Sequence, residues 1–157
     1  MFSIGEKIVY PMHGAGVIED VETRQVGGND VDYYKVRVFN GNIMLMIPVN
    51  NTSGVQLRPV VSRDEAEGVI TDFKSCMSEE SVPWNKRYKV NIDRLKTGTV
   101  QNVAGVLGEL IVREKEHGLS TSDRKMFILT KNILCSELSI ALEADAADIY
   151  DKIMQSF

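Results

Sequence analysis

A single tryptophan, Trp84, begins the one strongly basic segment of an acidic chain. The 157 residues carry a net charge of −4, whereas residues 81–98 contain five cations and one carboxylate. Clustered cations attract the phosphate backbone of nucleic acid, and a large aromatic ring can insert between bases as a wedge. This segment therefore predicts a local contact with nucleic acid.

Helical spacing would group the side chains of this basic segment. Trp84, Arg87 and Tyr88 would share one side of a helix, with Asn85 and Lys89 on an adjoining side. The predicted DNA-contacting set is Trp84, Asn85, Lys86, Arg87, Tyr88, Lys89 and Arg94. Two plainer interpretations stay open: Trp84 could pack into a helical core, and the cations could form an ordinary solvated surface.

A second feature is the apolar run from Met44 to Ile47, which ends at Pro48. One interpretation places this run in the core of the first half of the chain. The other makes it an exposed strand edge, because an unprotected strand can pair with a partner strand and methionine adapts to irregular surfaces.

Residues 7–57 have the composition of β-strands. Four runs are rich in β-branched and aromatic residues: 8–10, 16–18, 31–39 and 43–47. Turn signals separate them at 11–14 and 27–30 and at Asn40-Gly41, a dipeptide typical of two-residue hairpins. Several short strands within about fifty residues favour a small, strongly bent five-stranded barrel of the SH3 or Tudor kind.

From Ser62 onward the pattern is helical. Ser62 with Glu65, and Ser120 with Asp123, are typical of helix starts, while Gly98 and Gly118 are typical of helix ends. Five helices are predicted, over 62–76, 84–97, 99–117, 120–141 and 144–155. The expected fold class is α+β in two domains, a Tudor-like barrel over 1–59 and a compact all-helical domain over 60–157, in a monomer.

Residue patterns for catalysis are missing from the sequence. His13 and His117 fall in different predicted domains, so they support neither a metal site nor a nucleophile–base pair. Cys76 and Cys135 are isolated, without metal-ligand or disulfide spacing, which fits a reducing cytoplasm. We expect no enzymatic activity, no cofactor, no metal and no membrane segment.

Several motifs together resemble a known family. They are Gly5-x-x-Ile8-Val9-Tyr10-Pro11-x-His13-Gly14-x-Gly16, Glu22-Thr23-Arg24, Ile47-Pro48, Trp84-x-Lys86-Arg87-Tyr88-Lys89-x-Asn91 and Gly118-Leu119-Ser120. In order and spacing they resemble the CarD/CdnL family of bacterial transcription regulators. The resemblance runs from Phe2 to about Asp151.

The resemblance implies a function without enzymatic activity. The N-terminal domain would bind the β subunit of RNA polymerase, through candidate contacts at Glu22, Thr23, Arg24, Met46 and Ile47. The residue matching Trp84 would wedge into the minor groove of promoter DNA at the upstream edge of the −10 bubble and modulate the open complex. Some relatives have arginine at the position of Met46, so that contact is apolar here or shifted.

Two alternatives to this function stay open. The chain could be a stand-alone protein-interaction module with Trp84 in its core, or an autonomous DNA binder, although the acidic balance disfavours the second. Tethering to polymerase would give an acidic protein a high effective concentration at the promoter, so modest affinity for DNA would suffice. The protein would then be found in the cytoplasm, associated with the nucleoid through polymerase.

Overall fold

The structure is a computed structural model that describes residues 2–50, 56–80 and 82–157. An antiparallel sheet is followed by helices, so the α+β class is confirmed. The strands are β1 (Lys7–Tyr10), β2 (Gly14–Val26), β3 (Asn29–Val38), β4 (Ile43–Pro48) and β5 (Arg58–Pro59). The helices are α1 (Arg63–Thr71), α2 (Trp84–Thr97), α3 (Val100–His117), α4 (Thr121–Leu142) and α5 (Ala146–Met154).

The sheet has the strand order β4-β3-β2-β1-β5, and all its pairs are antiparallel. The expected five strands are present, but within the described residues the sheet is open, because β4 and β5 lie at opposite edges. The strand β5 has only two residues and pairs with β1. A register shift between Ile18 and Asp20 bends the long strand β2.

The turn predicted over 27–30 is confirmed, whereas the one predicted at Asn40-Gly41 is not. Val26 pairs with Asn29, so Gly27-Gly28 forms the two-residue turn, with φ of +60° and +83°. Both values are left-handed, as the tight hairpin turn requires. Val38 pairs with Ile43, which makes the loop around Asn40-Gly41 four residues long, so the two-residue turn predicted there is wrong.

Alternation along the strands separates the two faces of the sheet. One face carries a cluster of buried side chains: Ile8, Ile18, Tyr34, Val36, Val38 and Ile47. The helices bury a second, separate cluster that is centred on α3, which contributes nine buried residues. The chain therefore has two apolar cores.

Four of the five helices lie within two residues of their predicted bounds, whereas the first is shorter. The helix α1 ends at Thr71, because Asp72 leaves helical geometry with φ −123° and ψ 51°. A short 3-10 turn follows over Phe73–Cys76. The break directs the ring of Phe73 into the helical core, where it is 1% exposed.

A buried carboxylate on α4 joins the sheet to the helices. Glu137, whose side chain is 2% exposed, accepts two hydrogen bonds of 2.6 Å from the guanidinium of Arg58 on β5. It also accepts a 3.0 Å hydrogen bond from the backbone N–H of Val61. Arg58 in turn donates to the carbonyl of Gly98, the residue that ends α2. The two cores are thus held together by a polar network.

The joint predicts a large loss of stability when its carboxylate is removed. Glu137→Ala leaves the Arg58 guanidinium and the Val61 N–H without their acceptor. Breaking a buried ion pair lowers the free energy of unfolding by about 3–5 kcal/mol. Thermal unfolding should show a melting temperature lower by about 10 °C. The matched control is Glu143→Ala, which removes an exposed ion pair to Arg63 at 3.5 Å. This substitution should change the melting temperature little. Equal effects of the two substitutions would contradict the structural role of Glu137.

Candidate nucleic-acid interface

The helix α2 begins without a side-chain cap. Pro83 occupies the N-cap position and makes no side-chain hydrogen bond, and the first turn contains no acidic residue. The first N–H groups of a helix lack intrahelical partners, and the helix dipole makes this end positive. The start of α2 is therefore an electropositive tip that begins with Trp84.

Trp84 is 79% exposed, and Tyr88, one turn later, is 52% exposed. Trp84 lies on the same helical stripe as the buried residues Asn91 and Leu95, but burial along α2 begins only at Asn91. Arg87 and Val90 in the first two turns are half-buried, so exposure there is confined to the side that carries Trp84 and Tyr88 and the neighbouring lysines. The interpretation of Trp84 as a core residue is therefore wrong, and two adjacent aromatic rings are left for a partner.

Lysines flank the exposed aromatic side chains. Lys86 is exposed and has no ion pair within the described residues. Lys89 lies 3.5 Å from Asp93, but both side chains are mostly exposed, so this pair is weak. Asn85 is exposed as well. The tip of α2 thus presents aromatic surface beside mobile positive charge.

Arg87 points in another direction, into a buried ion pair with Asp123 near the start of α4. Its Nε and Nη2 donate to Oδ1 and Oδ2 at 3.2 and 2.8 Å, and the Asp123 side chain is 5% exposed. Burial alone would raise the pKa of Asp123, but the hydrogen bonds and charge of Arg87, helped by Ser120 and Arg113, lower it. The pair fastens the start of α2 to α4.

Arg94 makes a comparable pair farther along α2. Its Nη1 and Nη2 donate to Glu109 of α3 at 2.9 and 2.8 Å, and Glu109 also accepts the N–H of Ser78 at 3.1 Å. The guanidinium passes over Gly105, where a Cβ would lie only 2.6 Å from Arg94 Nη2. Of the residues predicted to contact DNA, Arg87 and Arg94 are engaged within the protein, and their contact with DNA stays a prediction.

The residues predicted to contact polymerase divide between the two faces of the sheet. Glu22 bonds Arg24 at 3.2 Å and Lys35 at 3.5 Å, and Lys35 is the cross-strand partner of Met46. Glu22, Arg24 and Met46 therefore lie on one face, away from the sheet core. Ile47 points the other way and is 4% exposed, so its side chain belongs to the core.

Thr23 and the edge of β4 complete this region. The hydroxyl of Thr23 donates to Asp32 on β3 at 2.6 Å, which stiffens the hairpin. Within the described residues β4 pairs only with β3, so its other edge has backbone groups available for an added strand. Both interpretations of the 44–47 run hold in part, since Ile47 is core and the strand is an edge.

Other reactive groups do not assemble into a site. No group of three or more His, Cys, Asp or Glu residues among those described could hold a metal ion. Burial raises the pKa of the Cys135 thiol to about 11 and raises that of Cys76, which keeps both thiols protonated and poorly nucleophilic. None of the described helices is long and apolar enough to span a bilayer.

The described residues thus combine an open sheet that has a free edge with an exposed aromatic and basic helix tip. Residues 2–61 match the family model "CarD-like/TRCF RID domain", and residues 68–154 match "CarD, C-terminal domain". The chain is also similar to the Bacillus subtilis (strain 168) protein named "Putative transcription factor YdeB". The two are 37% identical over 140 residues, which cover 89% of this chain and 92% of that protein.

The chain therefore belongs to the CarD family, which confirms the resemblance seen in its motifs. It is a transcription regulator whose N-terminal half is of the kind that interacts with RNA polymerase.

The exposure of Trp84 predicts that its side chain contributes little to folding. Trp84→Ala should shift the melting temperature by about 2 °C or less, since exposed substitutions fall within about 0.5 kcal/mol. Leu95→Ala, on the same stripe but 1% exposed, should cost about 2–5 kcal/mol. The emission of Trp84 should also be red-shifted and open to a soluble quencher. A protected, blue-shifted emission would show that Trp84 is packed in solution.

Proposed function

We propose that this protein binds the RNA polymerase β subunit through its sheet and promoter DNA through α2, and thereby stabilises the open promoter complex. The observation that carries this proposal is Trp84, 79% exposed at the uncapped start of a basic helix. Membership of the CarD family supports it, as does the match of the N-terminal half to a polymerase-interacting domain.

The DNA contact lies at the tip of α2. Trp84 inserts from the minor groove at the upstream edge of the bubble, where neighbouring bases are already partly unstacked. Insertion there costs less than the few kcal/mol needed to unstack an intact step. Lys86 and Lys89 lie against the phosphate backbone, and Asn85 and Tyr88 contact the groove beside the wedge. Because the wedge favours melted DNA, its binding lengthens the life of the open complex.

The polymerase contact uses the sheet. A strand of the β subunit adds to the free edge of β4, and the charged face that carries Glu22, Arg24 and Met46 supplies side-chain contacts. Thr23 supports this face through the hairpin. We assign this half, residues 1–59, to a Tudor-like domain and residues 60–157 to a DNA-contacting domain. The protein acts as a monomer on the nucleoid, recruited by polymerase.

The sheet surface predicts a charge-dependent capture of polymerase. In the full chain, Arg24→Glu replaces the partner of Glu22 with a second carboxylate and should weaken binding to purified β subunit by about tenfold, roughly 1.4 kcal/mol. Arg63→Glu, an exposed arginine on α1, is the matched control and should bind normally. Circular dichroism should show both variants folded. Normal capture by folded Arg24→Glu would remove Arg24 from the interface.

The tip of α2 predicts that the wedge and the lysines act differently on DNA. Trp84→Ala should shorten the open-complex lifetime and remove the preference for bubble over duplex DNA. Lys86→Ala and Lys89→Ala should weaken both DNAs evenly, and each should lower the log–log salt slope by about 0.9. Fluorescence anisotropy over a salt series measures both quantities. An unchanged bubble preference in Trp84→Ala would exclude the wedge.

A further inference from the structure

Two guanidinium groups share one buried carboxylate where α2, α3 and α4 meet. Arg87 on α2 holds Asp123 through two hydrogen bonds, of 3.2 and 2.8 Å. Arg113 on α3 brings its Nε to 3.3 Å from Asp123 Oδ2, the same oxygen that Arg87 Nη2 already occupies. Asp123 therefore has one more cation than its charge requires.

Arg113 is an incompletely used partner. Its Nε is the one buried side-chain nitrogen or oxygen, among the described residues, without a hydrogen bond, although it lies within ion-pair distance of Asp123. An orphaned buried donor is costly, so a structure that keeps one calls for an explanation. Moving Arg87 away would leave Asp123 Oδ2 free to accept this N–H.

The cleft between α2 and α3 shows what else could hold these groups. Besides the arginines, its titratable lining residues are Glu80, Glu109, Glu116 and His117. Glu109 is occupied by Arg94, and Glu116 lies 4.0 Å from His117. Asp123 is the only carboxylate within ion-pair distance of either Arg87 or Arg113 among the described residues.

Arg94 provides the contrasting case on the same helix. It also forms a two-bond pair, with Glu109, but no second guanidinium of the described residues lies within ion-pair distance of that carboxylate. Releasing Arg94 would leave Glu109, which is 28% exposed, without a cation. Releasing Arg87 would not leave Asp123 without a cation, because Arg113 lies within ion-pair distance of the same carboxylate.

We propose that Arg87 is a transferable DNA contact and that Arg113 is the positioning residue that permits the transfer. When a backbone phosphate approaches, the Arg87 guanidinium leaves Asp123 for the phosphate, and Arg113 completes its hydrogen bond to Asp123. Arg87 follows Trp84 by three residues, about 4.5 Å along the helix axis, so it lies within reach of a strand that Trp84 enters. This inference rests on the proposed binding of DNA by α2.

The sharing of Asp123 is tested first without DNA, by a double-substitution cycle on the full chain. Arg87→Gln and Arg113→Gln should each lower the melting temperature by only about 2–3 °C, since either arginine alone can satisfy Asp123. The double variant should fall well below the sum, by about 5 °C more, because the carboxylate is then unpaired. Additive shifts would overturn the sharing.

The transfer is tested by the salt dependence of binding to bubble DNA. Arg87→Gln should lower the log–log slope by about 0.9, the contribution of one phosphate contact. Arg113→Gln should lower it equally, because Arg87 is then locked onto Asp123, and the double variant should show no further loss. Arg63→Gln, which changes an exposed arginine of α1 outside the proposed DNA surface, is the matched control and should keep the wild-type slope.

Each other outcome overturns the proposal in a distinct way. A slope unchanged in Arg87→Gln means that Arg87 never reaches the phosphate. A lower slope in Arg87→Gln but not in Arg113→Gln means that Arg87 reaches the phosphate without Arg113 taking its place on Asp123. Additive losses in the double variant mean that Arg113 contacts DNA itself. If the wild-type chain fails to bind bubble DNA at all, the proposed function fails with it, while the stability cycle still reports how Asp123 is held.

Discussion

The relation between the two halves of this protein depends on a carboxylate buried in α4. The sheet and the helices each bury their own apolar cluster, and β2 meets α4 directly, where the N–H of Ala15 donates to Ser136. Glu137 is the buried charge that links the two halves, by accepting Arg58 from β5 and the N–H of Val61. Near the other end of α4, Asp123 receives Arg87 from α2. Buried ion pairs require good geometry to repay their desolvation, which makes them suited to fixing orientation.

Ion pairs within the protein also reduce the positive charge that the basic segment presents to solvent. The sequence of residues 81–98 contains five cations, but two of them, Arg87 and Arg94, form ion pairs with Asp123 and Glu109. Lysines on the outer surface of α2 supply the charge that remains freely available to a partner. A protein with so few free cations would bind DNA weakly on its own. In the function proposed above, polymerase would bring the protein to the promoter, and the wedge, rather than charge, would select the melted junction.

Local signals in the sequence predicted much of the fold. Capping residues and glycine stops placed the last four helices within two residues, because these signals act within one turn. The sequence did not predict the end of α1 at Asp72. This break accompanies the burial of Phe73 in the helical core, which local signals do not report. The turn predicted over 27–30 is present at Gly27-Gly28, but the loop at Asn40-Gly41 has four residues rather than two, because the register between β3 and β4 sets its length. Residue type left open whether Trp84 is buried or exposed, and the partners of Arg87 and Arg94 lie 36 and 15 residues away, beyond any spacing rule.

Arg58 has a mechanical consequence. The guanidinium that donates to Glu137 also donates to the carbonyl of Gly98, where α2 ends. The opposite end of α2 carries Trp84. The helix is therefore held at its end by Arg58 and near its start by Arg87, which pairs with Asp123 of α4. A displacement of β5 would be passed by one guanidinium both to α4 and to the end of α2.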